Sequence, residues 1–402
     1  MANSKTRYDF KPDTIYCGDN LKVLMDFPAE SVDLIYIDPP FFTSKKYQVI
    51  WGDAQEKRMF NDVWKIGIQT YKSFMRRRIK QLWRVLKSTG SFYLHCDYHA
   101  NAHLRIMCNA MFGAKNFRNE IIWHYPNRWT NVSKNFQRNY DTILFYTKTK
   151  NNTFNTQYTP LKESSIKRYD KTDENGRKYA NLIHKGTRYK KYLDESKGRA
   201  IGDVWKINIL GSNSKERLGY PTQKPEALLE RIILTSSNEG DIVLDMFCGT
   251  GTTLAVAKKL NRKFIGVDFS HTACTLMAER IKYPMGDIIG MPMTFEDVKK
   301  MKPFEFQNWA CRRFGGISNP KKVADGGIDG WKSGVPIEVK QHNVGSPAVK
   351  KFITVIQQSP EHNKGYMIGY KFTKGAKEGK AWAKEDLDID IEFIKVDVLL
   401  KG

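Results

Sequence analysis

An aspartate, two prolines and a phenylalanine, Asp38-Pro39-Pro40-Phe41, follow directly on the apolar run Ser31–Ile37. Prolines 39 and 40 end that strand and turn the chain outward. Two acceptors are then fixed at the strand end, the Asp38 carboxylate and the carbonyl of Pro39, whose own nitrogen carries no competing donor. Such a pair can grip both N–H bonds of an exocyclic amine on a nucleobase. That amine is a poor nucleophile because its lone pair is delocalised into the ring. Two acceptors favour a pyramidal nitrogen and free the pair. Phe41 offers a ring face on which an extruded base can stack. Catalysis of this kind is mostly positioning and field. Alone, the tetrapeptide also fits a simple strand-ending turn.

A second constellation lies at Val243–Thr253, a strand, a glycine loop and a helix start: Asp245, Phe247, Gly249, Gly251 and Thr252 fall within it. The glycines let a ligand rest against bare backbone at the carboxyl end of a parallel strand. Asp268 ends the next strand, 19 residues after Gly249, where an acid receives ribose hydroxyls. A dinucleotide site shares this pattern, but the third glycine of its fingerprint is absent.

A third set lies near the C-terminus. Gly326-Gly327-Ile328-Asp329-Gly330 precedes Pro336-Ile337-Glu338-Val339-Lys340-Gln341. Glu338 and Lys340 are two apart on a strand and share a face, with Asp329 expected from the neighbouring strand. Asp329 and Glu338 suit a Mg²⁺ ion, and Lys340 suits the charge that develops in phosphodiester hydrolysis. A solvated hairpin, or a fold that binds DNA without cutting it, is the alternative.

The elements that must position these groups alternate strand and helix. Strands are expected at Thr14–Cys17, Ser31–Ile37, Ser91–Cys96 after a turn at Gly90, Asn119–Tyr125, Asp141–Tyr146, Asp241–Leu244 and Lys263–Val267. Helices are expected around Leu21–Phe27, over 61–87, from Leu228, over Leu254–Leu260 and up to about Ile281. The pattern predicts an α/β fold with a mostly parallel sheet. Residues 151–224 lack clear strand runs and hold 16 Lys and Arg against 8 Asp and Glu, which suggests an inserted DNA-facing segment or a solvated surface insertion. Pro284, Gly286, Gly290 and Pro292 mark a linker, placed at 286–302.

The 402 residues carry a formal net charge of +23 with 12% aromatics and 41% hydrophobic residues, enough for a buried core. So basic a chain with rings to stack on bases points to nucleic acid. The six cysteines form no C-x-x-C pair and no zinc spacing, so reduced thiols in a cytoplasmic setting are expected. No signal pattern, membrane-length apolar run or P-loop is seen.

Residues 14–283 resemble the β class of amino-methylating DNA methyltransferases, the permuted group. The resemblance is carried by CGDNL, SVDLIYIDPPF, NEIIWHY, YDTILFYTK, GDVWKI, GYPTQKPEALLERII and GDIVLDMFCGTGTT…FIGVD. It implies a circularly permuted, Rossmann-like sheet of seven strands that binds S-adenosylmethionine and flips its target base. Only one helix follows Asp268 before the linker, so Thr14–Cys17 is expected to supply the missing strand. Asp19 then lies near the cofactor's adenine ring, Phe247 beside the cofactor, and Thr222 and Lys224 near its methionine end. Phe41 departs from the family's usual tyrosine and loses a hydroxyl contact. The aspartate form of the motif is mostly adenine-N6-specific and a serine form mostly cytosine-N4-specific, so Asp38 favours adenine. Segment 126–216 occupies the place of the target-recognition region. There Arg128, Trp129, Asn131, Lys134, Arg138 and Asn139 are candidates to meet phosphates or base edges.

Residues 303–402 resemble the PD-(D/E)xK nuclease superfamily, particularly Mrr-like restriction domains, through the helix Phe304–Phe314, the Asp329…Glu338-x-Lys340 triplet and the strand from Lys364. The whole reads as 1–285 methyltransferase, 286–302 linker and 303–402 nuclease-like domain. The expected setting is a prokaryotic or phage-like restriction–modification protein. Its partner is double-stranded DNA, a homodimer is admitted, and no membrane is involved. The alternatives are cytosine-N4 transfer with a C-terminal module that only binds DNA, and an RNA or protein amide substrate.

Overall fold

The computed structural model describes residues 8–40, 67–128, 134–211, 213–218, 222–292, 294–319, 327–358 and 363–401. Phe41, Trp129 and Asn131 therefore lie outside the described residues, as do Gly326 and the 61–66 start of the expected long helix.

Short apolar runs closed by turn residues form a central sheet. In chain order its elements are β1 (Thr14–Cys17), α1 (Asn20–Asp26), β2 (Val32–Ile37), α2 (Ile68–Val85), β3 (Leu86–Cys96), α3 (Asn101–Phe112), β4 (Phe117–His124) and β5 (Tyr140–Thr147). After an insertion come β8 (Val204–Lys206), α4 (Glu226–Ser236), β9 (Ile242–Asp245), α5 (Thr252–Lys259), β10 (Lys263–Asp268) and α6 (His271–Ile281). The spatial order is β1-β10-β9-β2-β3-β5-β4-β8. β5 runs antiparallel to both of its neighbours, and every other pair is parallel.

Alternation along each strand feeds two cores. Ile35 and Ile37 pack with Val23, Leu82 and Leu104 from α1, α2 and α3. Leu34 and Tyr36 pack on the opposite face with Leu228, Leu254 and Met277 from α4, α5 and α6. The chain ends thus meet in one sheet, because β1 pairs in parallel with β10, Thr14 opposite Ile265 and Cys17 opposite Asp268.

Four expectations are corrected. The sheet has eight strands rather than seven, since Val204–Lys206 adds an edge strand along β4. Segment 151–224, expected to lack strands, is therefore not wholly outside the sheet. It also holds a twisted antiparallel hairpin, β6 (Lys178–His184) and β7 (Thr187–Tyr192), turned at Lys185-Gly186. The polarity that hid these strands reflects two wet faces. Gly90 lies within β3 rather than in a turn before it, and a Cβ there would sit 2.9 Å from the Asp33 carbonyl oxygen.

Residues 286–302 are not a free linker. The Ile289 carbonyl accepts from Cys17 N–H at 2.7 Å, and Ile289 N–H donates to the Ile15 carbonyl at 3.0 Å, extending the β1 edge. The helix α7 (Phe295–Lys299) begins with a Thr294–Asp297 capping box, and Val298 and Met301 join the C-terminal core.

That C-terminal unit is a five-stranded mixed sheet of β11 (Ile317–Ser318), β12 (Gly330–Lys332), β13 (Val335–Lys340), β14 (Lys364–Gly369) and β15 (Asp390–Lys395), in that order. Helix α8 (Pro303–Arg313) covers one face. Helices α9 (Ser346–Gln357) and α10 (Lys374–Leu387) cover the other. The six cysteines are free and buried. No helix among the described residues is long and apolar enough to cross a membrane.

Candidate active site and nucleic-acid face

The carboxyl ends of β1, β10, β9 and β2 lie side by side, and each presents an acid: Asp19, Asp268, Asp245 and Asp38. The register Asp245↔Tyr36 brings the glycine loop after β9 next to the Asp38-Pro39-Pro40 turn after β2. Asp38 and Pro40 are half-buried and Pro39 is buried. This is where open parallel sheets bind ligands.

The loop is held from beneath. Gly249 N–H donates to Asp268 Oδ2 at 2.8 Å, and Ser270 N–H to Asp268 Oδ1 at 2.9 Å. Gly251 has φ +72°, and a Cβ there would fall 2.3 Å from Met277 Cγ, so only glycine fits. Asp245 Oδ1 accepts from Phe247 N–H at 3.0 Å, and its Oδ2 accepts from the Thr253 hydroxyl at 2.6 Å. Burial, with repulsion from Asp38 and Asp268, pushes the Asp245 carboxyl up to about 7.

Asp19 caps α1 through Leu21 N–H at 3.0 Å and pairs with buried Arg78 at 3.0 Å. Arg78 also donates to Asn20 Oδ1 at 2.7 Å, and Asn20 donates to the Met246 carbonyl at 2.7 Å. Asp19 is thereby tied to the loop that carries Phe247. Arg78 stacks over Phe74, whose ring lies 6.4 Å from that of Phe247. Arg78 was not singled out from the sequence. It stands in the Arg76-Arg77-Arg78 run, where nothing distinguishes the inward arginine from the two beside it except helical phase.

Thr222 and Lys224 reach the same place. Lys224 Nζ donates to Asp38 Oδ2 and to the Thr222 carbonyl at 3.3 Å, while the Lys224 carbonyl accepts from the Thr252 hydroxyl at 3.3 Å. Lys224 thus joins the glycine loop to Asp38. Arg280 braces this joint by donating to Thr252 Oγ1 at 2.9 Å and to Glu226 at 2.8 Å.

Behind Asp38 sits a histidine that sequence reasoning passed over. His95 is fully buried at the end of β3, and its signal was a histidine within an apolar strand one register step from Asp38. Its Nδ1 lies 2.9 Å from the Tyr36 hydroxyl and 3.6 Å from Asp38 Oδ1, and its Nε2 lies 3.5 Å from Asp141 Oδ2. Burial raises the Asp141 carboxyl, but bonding to His95 and the charges of His95 and Lys224 outweigh it and hold the group below its ordinary value.

Of the residues expected to meet nucleic acid, Arg128, Lys134 and Arg138 are exposed. Arg138 donates to the Tyr98 hydroxyl at 2.7 Å and covers its ring, and Arg128 reaches the Tyr125 hydroxyl at 3.3 Å. Phe136, between them, is 96% exposed. The hairpin adds exposed Lys185, Arg188, Lys190 and Lys191.

In the C-terminal unit Asp329 lies one residue before β12, and the register Gly330↔Ile337 carries it opposite Glu338. Both acids are buried. Asp329 Oδ2 accepts from Val339 N–H at 2.6 Å, its Oδ1 accepts from Gln307, and Lys340 donates to Glu338 Oε1. The triplet is assembled. Gln307 of α8 is a member that the sequence did not announce. Among the described residues no three His, Cys, Asp or Glu side chains gather as metal ligands, so the oxygen donors there are two carboxylates.

Comparison with known proteins adds a family. The N6_N4_Mtase family, described as DNA methylase, matches residues 32–279. The chain is 34% identical over 266 residues to the "DNA adenine methyltransferase YhdJ" of Escherichia coli (strain K12), covering 66% of this chain and 81% of that one. It is 33% identical to the "Type II methyltransferase M.BglII" of Bacillus subtilis, covering 63% of this chain and 64% of that one, just under two thirds of its length. It is 30% identical to the "Type II methyltransferase M.HpaI" of Haemophilus parainfluenzae, covering 66% and 73%. Among solved structures, the cytosine-N4-specific PvuII DNA methyltransferase superposes with a TM-score of 0.44 at 19% identity, covering 70% of this chain and 90% of that one.

Proposed function

The chain belongs to the N6/N4 DNA methylase family, and from that premise we propose that it transfers a methyl group from S-adenosylmethionine to adenine N6 at a specific site in double-stranded DNA. The observation that carries this reading is the side-by-side placement of Asp38 and the Gly249–Gly251 loop at adjoining strand ends. Asp38 and the Pro39 carbonyl would hold the two amine hydrogens. Lys224 fixes the carboxylate's direction. Asp19, Phe247, Thr252 and Asp268 would frame the cofactor, which supplies an electrophilic methyl carbon on a sulfonium. The residues present fit that group, since Asp19, Asp268 and Asp38 gather at adjoining strand ends and the two glycines leave bare backbone beside them. Asp38 and the similarity to a relative named an adenine methyltransferase favour adenine over cytosine N4.

The chain order fits a permuted member. The strand that would follow Asp268 in an unpermuted sheet is supplied from the N-terminus by β1, and its parallel pairing with β10 supports this. Arg128, Lys134, Arg138 and the hairpin supply charge for phosphates, and a two-stranded ribbon is narrow enough for the major groove.

The C-terminal unit, on this reading, is a Mg²⁺-dependent nuclease-like domain of a restriction–modification protein. Asp329 and Glu338 would hold the ion and Lys340 would offset developing charge. Their convergence across β12 and β13 supports it. The competing reading makes the unit a module that binds DNA without cutting. Purified protein incubated with unmethylated plasmid and Mg²⁺ decides between them. Cutting lost in Asp329→Ala and Glu338→Ala supports the nuclease, and intact plasmid with the wild type removes it.

For the methyltransferase, Asp38→Ala should retain cofactor binding by calorimetry and lose methyl transfer. Methylation-aware sequencing of treated DNA reports base, position and site together. Undiminished transfer by that variant ends the assignment.

A further inference from the structure

Methylating an amine leaves a proton to be removed. The nitrogen lone pair forms the new N–C bond, the pair of the breaking C–S bond returns to sulfur, and the nitrogen is left cationic with both of its hydrogens. One must depart. Asp38, which already holds it, is the first acceptor, but a carboxylate that keeps the proton is spent for the next turnover.

The groups behind Asp38 form a line leading away from the reaction pocket. His95 Nδ1 is 3.6 Å from Asp38 Oδ1, and its Nε2 is 3.5 Å from Asp141 Oδ2. The ring is fully buried, and Trp123 meets it edge-on with centroids 5.5 Å apart. Asp141 Oδ1 lies 3.4 Å from the Tyr125 hydroxyl, which exposed Arg128 approaches to 3.3 Å. The line therefore runs from Asp38 through His95 and Asp141 to the protein surface. The ionisable groups that face the ring are Tyr36 and Asp38 from β2 and Asp141 from β5. Tyr125, Lys224 and Asp245 lie just beyond them.

With Nε2–H turned to Asp141, Nδ1 is the acceptor, and the Tyr36 hydroxyl donates to it at 2.9 Å. A ring set between two carboxylates is placed to pass a proton, since the charged form would be flanked by opposite charge on both sides. Tyr36 can accommodate the change, because a hydroxyl that donates to Nδ1 can turn and accept from Nδ1–H.

We propose that His95, backed by Asp141, is the positioning residue through which Asp38 discharges the proton of the methylated amine. The proposal rests on the amine-methylation reading above. The proton passes from nitrogen to the Asp38 carboxyl and then to His95 Nδ1; the Nε2 proton leaves toward Asp141 and solvent, and return of a proton to Nε2 with loss of the one on Nδ1 restores the starting tautomer. His95 never touches the base.

His95→Asn separates this role from simple support. The amide can accept from Tyr36 and donate toward Asp141, but it cannot carry a proton. Loss of the acid–base assistance that resets Asp38 predicts a steady-state turnover lower by about 100-fold, with the first turnover near the wild-type rate. Duplex affinity, extrusion of a 2-aminopurine at the target position and the melting temperature should stay at wild-type values. The shape of the pH–rate profile should change in His95→Asn and in Asp141→Asn, whereas loss of a merely supporting contact would lower the whole profile evenly. Nitrogen-15 spectra of the protein without DNA or cofactor give an independent readout, with the Nε2-protonated tautomer expected for His95.

Three results would overturn the proposal: a His95→Asn steady-state turnover within twofold of wild type, a loss matched by weaker DNA binding or melting, or an Nδ1-protonated ring. A wild-type protein that methylates no DNA amine sinks the function itself. An active wild type with an indifferent His95→Asn sinks this proposal alone.

Discussion

Asp245 should make the stability of this protein depend on pH in an unusual direction for a carboxylate. Its side chain is buried beneath the glycine loop, and burial, with repulsion from Asp38 and Asp268, raises its pKa from an ordinary 3.8 to about 7. The folded state therefore keeps this proton up to near neutrality, while the unfolded chain releases it around pH 4. Stability from this group is complete below the unfolded value, declines as pH rises, and is gone once pH exceeds the folded value. At roughly 1.4 kcal/mol per pH unit, the full loss is about 4 kcal/mol, and the part between pH 5 and pH 8 is about 3 kcal/mol. Asp245→Asn cannot ionise and escapes this loss. It keeps an acceptor for Phe247 N–H, and the Thr253 hydroxyl can reverse to accept from the amide, so its own cost should be about 1 kcal/mol. Urea unfolding of both proteins at pH 5 and pH 8, followed by the near-ultraviolet signal, measures the difference. The variant should gain on the wild type by about 3 kcal/mol between the two conditions. An equal stability difference at both pH values would show that the carboxyl is already ionised in the folded protein, and the reasoning from burial would fail.

Two further outcomes follow from the same structure. Replacing Arg188, Lys190 and Lys191 together by alanine should weaken duplex binding and reduce the slope of log affinity against log salt by about 2 to 3; an unchanged slope in anisotropy titrations places the hairpin away from phosphates. Gly251→Ala would force a Cβ to 2.3 Å from Met277 Cγ at a φ of +72°, costing about 1–3 kcal/mol and weakening cofactor binding. Wild-type melting and cofactor affinity in that variant would mean the loop tolerates a side chain.

Much of this site was legible because its parts sit at strand ends that the sequence marks. The apolar run before Asp38, the glycines after Asp245 and the acid closing the next strand each declare a boundary, and a parallel sheet then forces those boundaries to one edge. The place of Thr14–Cys17 beside Asp268 followed from the resemblance to the permuted methyltransferases, which implies a strand missing after Asp268. What escaped was of two kinds. The hairpin at 178–192 has no clean apolar alternation and the edge strand Val204–Lys206 is only three residues long, so the pattern that reveals a half-buried strand is missing. Arg78, His95 and Asp141 are ordinary residues within regular elements, and their roles arise only when α2, β3 and β5 are brought against β2. No spacing in the sequence encodes that approach. The stretch after Gly286 misled for a third reason. Its prolines and glycines signal a break in regular structure, and the break is real, yet Ile289 still finds backbone partners on β1.

The distribution of charge carries the argument one step further. The chain as a whole is strongly basic, at +23, yet four neighbouring strand ends converge as acids: Asp19, Asp268, Asp245 and Asp38. An acidic recess inside a basic body sorts its two substrates by sign. A sulfonium donor is drawn to the recess and a polyanion to the rim, and neither competes well for the other's place. The arrangement carries a risk, because phosphates approaching Asp38 would be repelled where the base must enter. Lys224 meets that risk. Paired with Asp38 and joined through its own carbonyl to Thr252, it offsets the acid nearest the DNA side, while Asp268 stays on the side of the glycine loop. The lysine is thus best understood as the boundary between two electrostatic regions. Its replacement by methionine should weaken DNA engagement at the target base more than it weakens cofactor binding.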